Sequence, residues 1–202
     1  MRVTTGAVTA LVAVLLGGML SAQGAGTRPG VAELALTPAA LDIQPGGSAR
    51  TAITVRLPEG FHMNSDKPRD ANLIPITVSM EAVPAVSGVT AAFPEAIDLK
   101  QEGSAEPLRV FEREFAIGLQ VNAAVDAAAG AHTLPLRVRY QACDEKQCYL
   151  PITASLELNL SVSASAAAMP PAAIAKLDFA GAAAVPIVAP RPAPAAMALA
   201  TA

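Results

Sequence analysis

The 202-residue sequence has no tryptophan, and aromatic residues make up only 3% of it. That leaves little material for a stacking surface of the kind that holds sugars or bases. Its 14 basic and 17 acidic residues are scattered, for a net charge of -3. No basic patch interleaves with aromatics, so nucleic acid is not an expected partner. There are two histidines and two cysteines. Four-ligand zinc sites usually show paired short Cys or His spacings, and His62 and His132 lie far apart in the chain, so zinc is a weak alternative. His62-Met63 is a similarly thin candidate for a copper ligand set. Neither a Ser/His/Asp arrangement nor a phosphate-cradling glycine loop is present.

What is present divides into three parts. Met1 and Arg2 lead into an apolar stretch from Ala7 to about Leu20, closed by the small residues Ser21, Ala22, Gly24 and Ala25. This is the layout of a secretory signal peptide over residues 1–25. The stretch falls short of the ~20 apolar residues a membrane span needs. Cleavage between Ala22 and Gly26 is expected, with a retained anchor helix as the alternative. The mature chain is expected to be exported, with no stable membrane insertion. Residues 164–202 are mostly Ala and Pro, a composition that resists packing into a core, and they read as a disordered tail.

Between these ends, residues 31–163 are enough for one domain with its own core. Apolar residues alternate with polar ones at period two in several segments. Ile53, Val55 and Leu57 form one set; Ile76, Val78 and Met80 another; Phe115, Ile117, Leu119 and Val121 a third. Leu136, Val138 and Tyr140 follow, then Ile152, Leu156, Leu158, Leu160 and Val162. Each reads as a strand with one buried face. Pro45-Gly46-Gly47, Pro58-Glu59-Gly60 and Gly130 punctuate them as turns. About seven short antiparallel strands predict an all-β, immunoglobulin-like sandwich, with an open barrel as the alternative.

The two cysteines are close, in Cys143-Asp144-Glu145-Lys146-Gln147-Cys148. The four polar residues between them suit a hairpin loop, joining a strand that ends at Ala142 to one that starts after Pro151. Directly opposed Cβ atoms lie ~4.5–5.5 Å apart and a relaxed disulfide wants ~3.5–4.5 Å, so a bond can form with some strain. One reading is a staple, the usual fate of an even number of cysteines in an exported protein. The other is a thiol–disulfide exchange site. The closed loop is so small that chain entropy supplies only roughly 2 kcal/mol, which makes the pair a poor reinforcement and an accessible target. Lys146 favours a thiolate, while Asp144 and Glu145 oppose it.

The run from Leu136 through Tyr140, Gln141, Cys143, Cys148 and Tyr149 to Pro151 resembles the amino-terminal periplasmic domain of the thiol:disulfide interchange protein DsbD. Gly60-Phe61-His62, continuing to Pro68 and Leu73-Ile74-Pro75, is similar to that family's aromatic turn after an early strand. Pro107 to Glu112 looks like the segment after its cap loop. The resemblance implies an immunoglobulin-like sandwich in which Cys143 and Cys148 are the redox pair, with Phe61, His62, Tyr140 and Tyr149 lining the site. It implies a carrier that takes electrons from a thioredoxin-like or membrane-linked donor and passes them to oxidised periplasmic proteins, with no metal or organic cofactor. The stretch matching the family's cap loop, Leu99 to Ser104, holds no aromatic. The 202 residues include neither a membrane conduit nor a thioredoxin-like domain, so the donor is expected to be a separate protein.

Overall fold

The computed structural model describes residues 31–101, 106–166 and 171–190. The expected signal peptide therefore lies outside the described residues. Among those residues, none of the helices is long and apolar enough to cross a membrane.

Apart from one short 3-10 turn, all regular structure in the described residues is strand. In chain order these are β1 (Glu33–Thr37), β2 (Ala40–Ile43), β3 (Ser48–Arg56), β4 (His62–Asn64), β5 (Thr77–Glu81), β6 (Val86–Ala92) and β7 (Ile97–Leu99). They continue as β8 (Leu108–Glu112), β9 (Glu114–Ala123), β10 (Gly130–Tyr140), β11 (Ala142–Cys143), β12 (Ile152–Val162), β13 (Ala183–Ala184) and β14 (Ile187–Val188). One five-stranded sheet runs β1-β3-β9-β6-β13 and a second runs β14-β5-β10-β12-β2. Pairing is antiparallel except where β2 joins β12 and β14 joins β5. The two sheets pack as an immunoglobulin-like sandwich, the predicted fold class.

Period-two alternation sets the core. Ile53, Val55, Ile117, Leu119, Leu134, Leu136, Val138 and Leu158 are fully buried. The alternation predicts Phe115 and Leu156 in the same core; both are half-buried at its margin. The long β10–β12 ladder fixes the register, since Leu136 lies opposite Leu156 and Val138 opposite Ala154. A slip of one residue would turn every one of these side chains to water.

A smaller third sheet, β11-β4-β8-β7, is built from continuations of both large ones. After β3 the turn Pro58–Phe61 carries the chain into β4. Gly60 adopts φ +78° there, and the Phe61 amide donates to the Pro58 carbonyl at 3.2 Å. Between β8 and β9 a single residue, Arg113, makes the corner at φ 55°, and its carbonyl accepts from the Leu57 amide at 2.7 Å. β10 leaves its sheet at Gln141, and β11 pairs instead with β4. Three chain segments thus converge where the cysteines sit.

The carboxy-terminal segment departs from the sequence reading. A disordered tail is predicted from residue 164, yet residues 171–190 are packed on the domain. A 3-10 turn (Ala172–Ile174) buries Ile174, and Phe179 lies over Gly118 and under the Arg50 guanidinium. Strand β13 then adds to the edge of β6, and β14 to the edge of β5. The segment is a strap that crosses from one sheet edge to the other. Proline is compatible with this because edge strands need not donate on their outer side. The Val185 amide donates to the Val89 carbonyl at 2.8 Å, and the Pro186 carbonyl accepts from the Met80 amide at 2.9 Å.

Candidate active site

Cys143 and Cys148 form a disulfide. The cysteines face each other as an isolated antiparallel pair, with Cα atoms 4.0 Å apart. The ladder on either side is closed by the Tyr149 amide donating to the Ala142 carbonyl and the Asp144 amide donating to the Gln147 carbonyl, both at 2.9 Å. The cysteines therefore occupy the non-hydrogen-bonded position, where opposed side chains come closest. The hairpin differs from expectation on its incoming side. The strand ending at Ala142 is not an unbroken continuation of β10 but the two-residue β11, which belongs to the third sheet.

Asp144 organises the loop. Its Oδ1 accepts from the Lys146 amide at 2.7 Å and the Gln147 amide at 2.8 Å, and its Oδ2 accepts from the Tyr149 hydroxyl at 2.7 Å. This is an Asx-type turn locked by a phenol. The Tyr149 hydroxyl, followed by the two amides, holds the Asp144 carboxyl below its ordinary value. A depressed carboxylate supports the turn fully above its unfolded pKa, about 3.9, and the support fades as pH falls through the lowered value. Tyr149→Phe is expected to move the Asp144 titration upward, toward the ordinary range. Carboxyl-carbon NMR of Asp144 checks this; an unchanged midpoint would mean that the phenol does not hold the turn.

The two cysteines are not equivalent. Cys143 is 1% exposed, while Cys148 is open to solvent. Phe61 and Tyr149 come together beside the pair, with ring centroids 5.7 Å apart. Gln141 anchors the outgoing strand, its side-chain amide donating to the Tyr149 carbonyl at 2.9 Å. His62 lies directly opposite Cys143 in the β11–β4 register and opposite Glu112 in the β4–β8 register. It is 5% exposed, and burial lowers its pKa, against the opposing pull of Glu112 and Asp144. A cleft of about 920 Å³ opens here, lined by Phe61, His62, Glu112, Arg113 and the loop residue Glu145. Leu99, Lys100 and Gln101 form its far wall; the rest of the stretch expected to be the cap lies outside the described residues.

Of the four residues expected to line the pair, the structure brings Phe61, His62 and Tyr149 to it. Tyr140 belongs to the core instead: it is 1% exposed, and its hydroxyl accepts from the Ala32 amide at 2.9 Å. The alternating strand turns it inward, away from the face the site uses. The same alternation separates His62 from Met63, which is fully buried in the core, so the two cannot act as one ligand pair. His132 is remote, its ring bonded to the Ala128 carbonyl. The sequence reading takes Asp144 only as a charge opposing the thiolate, not as the cap of the loop, and gives Glu112 no place in the site. The Asp at the first loop position, three residues before an amide it can cap, was a readable turn signal for Asp144. Glu112 joins only through strand register, which no local pattern encodes.

An immunoglobulin-like sandwich with a disulfide between one buried and one exposed cysteine defines the class: a β-domain with a redox-type cysteine pair. The model of the family described as thiol:disulfide interchange protein DsbD, N-terminal, matches residues 32–160, and the chain belongs to that family. No curated protein matches the sequence. Among solved structures, the N-terminal periplasmic domain of ScsB from Proteus mirabilis aligns at 17% identity and TM-score 0.49, over 72% of this chain and 54% of that one. The chain thus spans about half the length of that relative. The DsbD N-terminal domain of Neisseria meningitidis, in its reduced form, aligns at 17% identity and TM-score 0.38, over 56% of this chain and 78% of that one. The family assignment rests on the sequence match.

Proposed function

We propose that this domain is a periplasmic electron carrier that works by thiol–disulfide exchange at Cys143–Cys148. The observation that carries the reading is the difference in exposure across the bond. Cys148 is the cysteine open to solvent, so a donor thiolate attacks its sulfur. It bonds there, and the electron pair of the broken disulfide leaves on Cys143. A second donor thiol attacks its own sulfur in the mixed disulfide, and Cys148 leaves reduced. The reduced pair runs the sequence in reverse on an oxidised client. The donor is a thioredoxin-like protein or the exposed domain of a membrane-linked one, and the clients are oxidised exported proteins. The reaction needs no metal or organic cofactor. Membership of a thiol:disulfide interchange family supports the chemistry in general.

Reduction kinetics test it. A thioredoxin-like protein is expected to reduce the bond at least about tenfold faster than an ordinary dithiol at equal concentration, through its larger thiolate fraction and its fit to the site. Equal rates would place the bond with structural staples, and the domain with non-catalytic interaction modules.

A further inference from the structure

Three strands put Cys143, His62 and Glu112 in one transverse row. Cys143 is opposite His62, and His62 is opposite Glu112. Directly opposed residues share a face of the sheet, with Cβ atoms ~4.5–5.5 Å apart. In register, His62 thus lies between Cys143 and Glu112. Its Nε2 is buried and finds no hydrogen-bond partner among the described residues. An unpaired buried ring nitrogen costs free energy and stands out in a domain whose other buried groups are largely paired. His62 also lines the 920 Å³ cleft, which brings solvent to the edge of the residue.

Exchange at a buried cysteine has a specific need that this row meets. When the reduced carrier attacks a client, Cys148 forms the mixed disulfide and Cys143 must then resolve it. Cys143 is sealed from solvent, and burial in apolar surroundings disfavours the thiolate it needs to become. We infer that His62 is the base for this step, taking the Cys143 thiol proton on Nε2 as the Cys143 sulfur attacks Cys148. The Cys143–Cys148 bond forms, the client–Cys148 bond breaks, and the client sulfur leaves with the electron pair. The imidazolium, stabilised by Glu112 across the row, returns its proton to water through the cleft. The inference rests on the exchange reading.

The charges that act on His62 are Glu112 from β8 and Asp144 from the cysteine loop; Glu145, Arg113 from the β8–β9 corner, Lys100 after β7 and Glu59 from the turn before β4 line the same cleft. Glu112 and Asp144 pull its pKa up, but burial outweighs them and the pKa is lowered. The ring is therefore neutral and able to accept a proton at neutral pH. It loses that capacity as pH falls through the lowered value.

Ellman's reagent separates the steps on the reduced, folded protein. The first thionitrobenzoate is released as Cys148 is capped, and the second as Cys143 displaces the cap. In the unaltered protein the second phase is expected to rise through the imidazole range, at or below about 6.5, and then to level off. In His62→Gln the first phase should be unchanged. The second should slow about tenfold or more at pH 7 and gain its pH dependence in the thiol range, near 8.5. A second phase in the unaltered protein that titrates only near the thiol range would overturn the inference without any variant. So would an equal second phase in His62→Gln. A slow first phase together with slow reduction by a thioredoxin-like protein would instead overturn the exchange reading beneath it.

Discussion

Cys143→Ser is expected to accumulate a mixed disulfide through Cys148, and Cys148→Ser is not. The suitable probe is a thioredoxin-like partner whose single active-site cysteine carries thionitrobenzoate. In Cys143→Ser the exposed Cys148 attacks that sulfur, thionitrobenzoate leaves, and the adduct has no internal thiol to break it. Near-stoichiometric adduct should form. In Cys148→Ser the remaining thiol is the one that is 1% exposed, and adduct should form at least about tenfold more slowly, since thiolate character and access both control the rate. Neither variant should lose more than about 2 kcal/mol of stability, because the cysteines are only five residues apart and the loop they close is short. Adduct in equal amounts from both, or from Cys148→Ser alone, would reverse the roles assigned to the two sulfurs.

Ile174→Ala is expected to weaken the domain by about 2–5 kcal/mol, the usual cost of truncating a buried isoleucine. Ile174 is 2% exposed and Val185 is 7% exposed, both within the strap. If the strap opens as a unit before the sandwich does, part of that loss should show as cleavage within residues 171–190, because cleavage follows the population of the open form. Chemical denaturation and limited proteolysis together measure both effects. A change of a few tenths of a kcal/mol, with the unaltered protein cut freely in this segment, would return it to the disordered tail that its composition suggests.

The strap shows where sequence reading reached its limit. Ala and Pro dominate residues 171–190, and composition averages hide Ile174, Leu177, Phe179 and Val185. Those few anchors suffice because the sandwich already offers two open edges, at β5 and β6, and a flat spot at Gly118 with no side chain. None of that is visible in the segment's own sequence. The main strands were legible because period-two alternation is a local property. Ile53 and Val55, and Leu136 and Val138, face inward as it requires. At the site, the cysteine spacing and its loop were legible for the same reason. Tyr140 was misplaced since adjacency to Cys143 in sequence says nothing about which face a strand residue takes. The row of Cys143, His62 and Glu112 joins segments some 30 to 80 residues apart in the chain, and only the pairing of β11, β4 and β8 assembles it.

The reduction potential of the Cys143–Cys148 bond tests the central claim most directly. It can be read by equilibrating the folded protein with a thioredoxin of known potential and quantifying the oxidised fraction. A bond that serves exchange must lie within reach of thioredoxin-like partners, near -270 mV, so a value above about -300 mV is predicted. A value well below -300 mV, the range of structural disulfides in secreted proteins, would contradict the account.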